Sequence, residues 1–556
     1  MAISRMIVVG LDGATFNLIK PWVAEGKLPT FARLLAEGAH AELRSTLPAL
    51  TPPAWTSAAT GKNPGKHNIY NFYKVSDGGT GKLPLTPADL RSRRVWDIAT
   101  AYGKRAGVVH LPLTYPPEHL DGGFVISGIM TPKGVDDYTF PLELKDELAA
   151  NVPEYRFDVD ADALKVGDVR AFRDDAFDLQ RVQTAETLYL LDHKEWDLMW
   201  VMFHTLDKVQ HFFWHFMDSS HPAHPGPSEF SDTIFQFHKL LDDCLAEILK
   251  RLDDRTGLLI MSDHGSCSIE SYLLITNWLE EAGFLAMRDD GATSMKRALG
   301  GMGVEAYALV RALRRSGLGW LPKLVPQRLK SQVPMAKASF AQIAKSIDWS
   351  STRVYCPSAP GSGLRVNLRG REAQGIVAPE DFERVCNEVR TALLELTDPA
   401  TGRKVVRAVH LRHEIYQGPY VENGADLLVE TTDPYCLIEG VGATSIVPTG
   451  QNDGERTGNH LRNGIFMLAG AAARRGATVP ELDICDVAPT LLHLIGLPVQ
   501  ADMDGTVAAA ALTEGYLDAH PVRTDQLAPP SEMEQVDMSD QDRRAIEGML
   551  EGLGYL

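Results

Sequence analysis

Short, β-rich apolar runs alternate along this chain with stretches whose apolar residues recur at helical spacing. The first run, Met6-Ile-Val-Val-Gly-Leu11, ends at Asp12-Gly13 and predicts a buried strand closed by a turn. Runs at Ala106–His110, Leu198–Phe203, Leu258–Met261 and Ile465–Leu468 predict further buried strands. Between them, Trp22, Leu28, Phe31, Leu34 and Leu35 predict a helix over 20–37 that stops at Gly38. Longer helical patterns cover 176–192 and 229–252. Strands alternating with helices imply an α/β fold, a mostly parallel central sheet with helices on both faces. Such sheets bind ligands beyond the carboxyl ends of their strands. Polar residues follow three of the runs at that edge: Asp12, His204 to Asp207, and Ser262-Asp263-His264.

The pattern changes after residue 284. Over 285–348 the chain reads as a basic helical insertion, with ten Lys and Arg between Lys296 and Lys345 against one acid, Glu305. It fits a solvated helical insertion, a cap that attracts an anionic substrate, or a patch that touches anionic lipid. Residues 349–450 alternate in shorter strand-like runs such as Gly363–Leu368 and read as an α+β cap-like region. The core is then residues 1–284 and 451–512. A tail, 513–556, follows, and its stretch 514–540, rich in Pro, Asp, Glu and Ser, is expected to be loosely held.

Composition narrows the partners. At 44% hydrophobic and 23% charged, the 556 residues are those of a soluble globular protein. The formal charge of −18 argues against a nucleic-acid polymer, whose phosphates need clustered cations, but leaves room for a small anion held by metals. The six cysteines have no CxxC spacing and are expected to be reduced thiols. Met6–Leu11 is too short for a signal peptide and no run reaches membrane-spanning length, so a cytoplasmic location is expected.

Four segments carry metal-ligand residue types: Gly10-Leu-Asp12-Gly13, Thr205-Leu-Asp207-Lys-Val-Gln-His211, Met261-Ser-Asp263-His264-Gly265 and Thr457-Gly-Asn-His460. The i, i+4 spacing of Asp207 and His211 puts both on one helical face. Alone, each segment also fits a turn aspartate, a surface pair or a packed histidine. Together they offer three carboxylates and three imidazoles, which suits two Zn²⁺-like ions. The nucleophile candidate is Thr51 in Leu47-Pro-Ala-Leu-Thr-Pro-Pro-Ala-Trp55. Pro52 and Pro53 suit a first helical turn, so Thr51 is expected at or near an N-cap, where helix amides attract phosphate. A threonine hydroxyl needs a bound metal to lower its pKa before it can attack.

These segments resemble the alkaline phosphatase superfamily, in particular its type I phosphodiesterase and nucleotide pyrophosphatase branch. The likeness runs from Met6 to about Gly505 and includes Thr51-x-Pro53, Thr60-Gly61, Pro64-Gly-Lys-His67 and Asp486–Gly496 with Asp504-Gly505. It implies an alkaline phosphatase-like three-layer sandwich and two divalent ions, Zn²⁺ with Mn²⁺ as the alternative. By that resemblance Asp207, His211 and His460 hold one ion; Asp12, Asp263, His264 and the Thr51 oxygen hold the other. The branch's phosphate-binding asparagine falls twenty-one residues after the threonine; here that position is Phe72, and Asn71 is the candidate for its role. His215 and His204 read as packing residues beside the site.

The resemblance implies a hydrolase of phosphodiesters or nucleotide pyrophosphates acting through a phospho-threonine, with a small phosphate-ester or nucleotide-like substrate. A phosphomonoesterase or phosphomutase of the same superfamily is the rival within this chemistry. A monoesterase would add cationic contacts for the third phosphate oxygen, and no residue near Thr51 clearly supplies one. A rival of another class is a non-catalytic protein that binds nucleotides or a membrane surface through 296–345.

Overall fold

The computed structural model describes residues 3–75, 82–152, 156, 158–159, 162–165, 167–288, 309, 313, 340–358, 363–449, 455–530 and 539–552. The basic segment 296–345 therefore lies almost wholly outside the described residues.

Alternation along the strand Arg5–Leu11 decides the layering. Met6 and Val8 enter one apolar cluster with Trp55, Trp96 and Trp200, while Ile7, Val9 and Leu11 enter another with Phe31, Phe172 and Phe237. A strand that feeds two cores must lie in the middle of a sandwich. Helices Thr51–Thr60, Val95–Ala101 and Val487–Leu494 cover the first face; Val169–His193, Thr205–Met217 and Thr233–Leu249 cover the second. The three-layer α/β sandwich expected from the sequence is the architecture observed.

Arg5–Leu11 sits near the centre of a ten-stranded sheet, paired in parallel with Leu198–Phe203 on one side and Thr256–Met261 on the other. Ala106–Val109 and Phe124–Ile126 continue the parallel set. Asn463–Ala469 runs antiparallel between Thr256–Met261 and Ala39–Arg44. The three central strands deliver Asp12, His204 and Asp263 to the same edge.

Two expectations are corrected. The helix read over 20–37 is two, Phe16–Ala24 and Pro29–Glu37. Gly26, at φ 74°, ends the first, and Pro29 suits the first turn of the second. The tail is fastened where it is described. Within the stretch expected to be loose, Thr524–Asp525 pairs with Val499–Gln500; beyond that stretch, Ile546 and Leu550 of the helix Asp540–Gly552 are buried in one cluster with Ile69 and Phe72.

Residues 349–450 hold an antiparallel sheet ordered Val354–Ser358, Gly363–Val366, Leu427–Thr431, Val406–Leu411, with the helix Phe382–Glu395 sharing its core. It touches the first layer close to Thr51: the Tyr416 hydroxyl donates to the Leu47 carbonyl and its ring meets Tyr70 edge-on at 5.1 Å. No cysteine among the described residues is in a disulfide. No helix among them is long and apolar enough to cross a membrane.

Buried histidines tie the loops of this edge. His67 Nδ1 accepts from the Ile69 N–H at 3.1 Å, and its Nε2 lies 2.8 Å from Ser57 Oγ on the Thr51–Thr60 helix. Burial, helped by Lys62, pushes His67 down to about 3, and burial pushes His238 down to about 4. The unfolded chain protonates both near pH 6.5, so between those values the unfolded state binds more protons and folding weakens as pH falls. Each histidine removes up to about 1.4 kcal/mol per pH unit in that window. The urea midpoint is expected to be lower at pH 5 than at pH 7; equal midpoints would refute the neutral assignment.

Candidate active site

Glycine lets the first loop close. Gly13 has φ 72°, and a Cβ there would sit 2.9 Å from Asp207 Oδ1 and 3.0 Å from Gln210 Nε2. Its N–H donates to Asp263 Oδ1 at 3.3 Å, and its carbonyl accepts from Gln210 Nε2 and Ser266 Oγ, each at 2.9 Å. One residue thus joins the segments that carry Asp12, Asp207 and Asp263.

The imidazoles are aimed by backbone carbonyls. His211 Nδ1 lies 2.8 Å from the Gly458 carbonyl and His460 Nδ1 lies 2.7 Å from the Ala49 carbonyl. A carbonyl only accepts, so each Nδ1 carries the proton and each Nε2 presents a lone pair. Those two Nε2 atoms are 3.1 Å apart. His211 Nε2 is also 3.0 Å from Asp207 Oδ2, and His460 Nε2 is 3.6 Å from Asp207 Oδ1. On the other side, His264 Nε2 is 3.2 Å from Asp263 Oδ2 and 3.6 Å from Asp12 Oδ1. The His264 and His460 rings stack with centroids 3.7 Å apart, which makes the two halves one cluster.

This arrangement fits divalent cations. Donor atoms of Asp12, Asp263 and His264 lie within 4.8 Å of one another, as do those of Asp207, His264 and His460. Asp12 Oδ1, Asp263 Oδ2, His264 Nε2 and Thr51 Oγ1 are buried without a hydrogen-bond partner among the described residues. Lone pairs facing lone pairs in a dry pocket are costly unless positive charge lies between them. The titration directions agree. Burial, then Asp263 and Asp207, push the Asp12 carboxyl well above its ordinary range, and burial with His264 pushes His460 well below its own.

All six sequence-derived ligand candidates are therefore brought together. His264 differs from the sequence reading in bordering both halves. Thr51 is the first residue of its helix, with Leu50 as N-cap. Its place is fixed from both sides: the Ala49 carbonyl anchors His460, and the Trp55 ring lies against Gly10, where a Cβ would sit 2.4 Å from the indole. One part of the sequence reading fails. Pro52 and Pro53 carry no N–H and the Ala54 N–H donates to the Leu50 carbonyl, so that turn keeps only the Thr51 amide for an anion.

Asn71 is not one of the residues that form the ligand cluster. It lines a cavity of about 540 Å³ between the core and the 349–450 region, together with Pro48, Tyr70, Tyr73, Arg365 and Tyr416. Its Oδ1 accepts from the Phe72 N–H, while Phe72 itself is fully buried. His215 bonds Thr457 Oγ1 at 2.9 Å, and His204 Nε2 lies 3.2 Å from Asp158 Oδ1; both stand behind the site. Sequence reasoning missed Arg456, whose Nη2 lies 2.8 Å from His211 Nε2. No periodicity marks it, since it reaches the cluster from an irregular segment.

The family model described as type I phosphodiesterase / nucleotide pyrophosphatase matches residues 6–442. No curated protein matches the chain. Among solved structures, phosphonoacetate hydrolase from Sinorhizobium meliloti 1021, in complex with phosphonoacetate, is 14% identical with a TM-score of 0.50, covering 89% of this chain and 95% of that one. At that identity the likeness speaks for the fold alone. An inactive murine ectonucleotide pyrophosphatase / phosphodiesterase 5, in complex with AMP, is 12% identical with a TM-score of 0.49, covering 92% of this chain and 100% of that one.

Replacing a ligand candidate should empty the site. Asp263→Ala or His264→Ala is expected to lower bound divalent metal in elemental analysis, His264→Ala more because it borders both halves. Metal content equal to that of the unsubstituted protein would count against the cluster.

Proposed function

The chain belongs to the type I phosphodiesterase / nucleotide pyrophosphatase family, and on that premise we propose that it hydrolyses phosphodiesters or nucleotide pyrophosphates through a phospho-threonine at Thr51. The observation that supports this is the convergence of Asp12, Asp207, His211, Asp263, His264 and His460, with the buried hydroxyl of Thr51, which lacks a partner among the described residues, two positions after the Ala49 carbonyl that holds His460. Two divalent cations, Zn²⁺ or Mn²⁺, would supply Lewis-acid charge to the phosphoryl oxygens and lower the pKa of that hydroxyl. Asp207, His211 and His460 would hold one; Asp12, Asp263, His264 and Thr51 Oγ1 the other, with His264 beside both.

In this reading Thr51 Oγ attacks phosphorus in line. The Thr51 O–P bond forms, the bond to the leaving oxygen breaks on the opposite face, and a water then hydrolyses the phospho-threonine. The Thr51 amide and the helix dipole favour the anion. The cavity lined by Tyr70, Tyr73, Tyr416 and Asn71 receives the leaving group, since its volume and aromatic walls suit a planar, polar moiety. In the same proposal residues 1–284 and 451–512 form the catalytic core, and 349–450 closes one side of this cavity.

A panel of bis-p-nitrophenyl phosphate, p-nitrophenyl phosphate and a nucleoside 5′-monophosphate p-nitrophenyl ester, each with Zn²⁺ and Mn²⁺, tests the reading. Turnover of at least one diester is expected. Thr51→Ala should reduce it by about 10³-fold or more with metal content retained. Undiminished turnover removes Thr51 as the nucleophile.

A further inference from the structure

We infer that Arg365 anchors the leaving group of the substrate, and that this group is a planar ring carrying an oxyanion of its own, a carboxylate or a phosphate. The inference rests on the hydrolase reading above and names the class of leaving group for the same site.

Strand alternation sets where Arg365 lies. Leu364 and Val366 of the strand Gly363–Val366 are buried in the core shared with the Phe382–Glu395 helix, so Gly363 and Arg365 occupy the opposite face. On the neighbouring strand Gly363 pairs with Leu428, which clusters with Leu47 and Tyr416. That face of the sheet therefore looks toward the lead-in of the Thr51 helix. Arg365 and Pro48 line the same cavity of about 540 Å³. The residue after Pro48 is Ala49, whose carbonyl holds His460. The cavity wall and an anchor of the ligand cluster are thus consecutive residues.

The charges behind this wall alternate in a line. Arg365 Nε donates to Glu372 Oε1 at 3.3 Å, and Glu372 also accepts from Arg371 Nε at 2.8 Å. The terminal nitrogens of Arg371 donate to Asp426, which accepts from Arg412 as well. Glu372 and Asp426 are buried, and each divides its charge between two guanidiniums. One end of the line is Glu422, paired with Arg412; it also borders the cavity, but its side chain is 77% exposed and screened by water. The other end is Arg365, whose side chain is 13% exposed. Its Nη1 and Nη2 have no hydrogen-bond partner among the described residues. Lys74, on the same cavity, is already paired with Asp89. Arg365 is left with donors and charge to spare.

Two parallel N–H donors match the paired oxygens of a carboxylate or a phosphate. A guanidinium so little hydrated, sharing its one carboxylate with Arg371, gains more from an anion than from a neutral acceptor. The ring follows from the other walls. Tyr70 and Tyr416 spend their hydroxyls on the carbonyls of Tyr420 and Leu47, so what they offer the cavity is aromatic surface.

Methyl phenyl phosphates whose ring carries a p-carboxylate, a p-phosphonate standing in for phosphate, or a neutral p-carboxamide test this on metal-loaded wild type, Arg365→Gln and Arg365→Lys. Arg365→Gln is expected to lower kcat/KM for at least one anionic ester about tenfold further than for the carboxamide, and Arg365→Lys to recover part of the loss. The ester that loses more identifies the preferred oxyanion. Titration calorimetry follows the released phenols, p-hydroxybenzoate, p-hydroxyphenylphosphonate and p-hydroxybenzamide, on the same proteins. Arg365→Gln should weaken one of the anions about tenfold and the amide less. Equal losses on charged and neutral probes, no change on substitution, or no binding of either anion would overturn the inference. If the wild type turns over none of the esters, the hydrolase reading falls while the phenol titration still decides whether Arg365 anchors an oxyanion.

Discussion

Electrostatic repulsion inside one dry pocket is the constraint on which the rest of this structure depends. Asp12, Asp207 and Asp263 are fully buried, and the lone pairs of three histidines face them within hydrogen-bonding distance or slightly beyond. Nothing in water would assemble such a group, because each carboxylate loses its hydration and gains like-charged neighbours. The fold assembles it because the flanking strands and helices gain far more by packing than the pocket costs. The resulting need for positive charge is what suits the site to cations and, in the proposed function, through them to phosphate.

Rigidity comes from backbone contacts rather than from side chains holding one another. The Gly13 backbone bonds to residues from two other parts of the site, and two of the histidines are turned by carbonyls of the chain segments beside them. The Ala49 carbonyl that orients His460 belongs to the lead-in of the Thr51 helix, so the proposed nucleophile and a ligand candidate share one anchor. Trp55 seated on Gly10 does the same for Asp12, since indole and strand cannot approach so closely with any side chain at residue 10.

The Pro52-Pro53 pair illustrates a trade between shape and charge. Two prolines stiffen the first turn and present Thr51 in a defined orientation. They also remove amides that a phosphate would otherwise use. The 349–450 region walls the neighbouring cavity with Tyr416 and Arg365.

The central strands were legible in the sequence because a strand buried on both faces must be apolar throughout, and a polar residue directly after it can only mark the sheet edge. The ligand types and their order were legible for the same reason, and Thr51 was marked by the prolines that follow it. The break in the 20–37 helix was less visible, since Gly26 looks ordinary until its positive φ is known. Only the tertiary structure placed His264 between the two halves, put Asn71 on the wall of a cavity, fastened the tail at Thr524–Asp525 and brought Arg456 against His211. Those are contacts between separate segments of the chain, from Val499 with Thr524 to His211 with Arg456, decided by how strands register and helices pack. No local spacing carries that information.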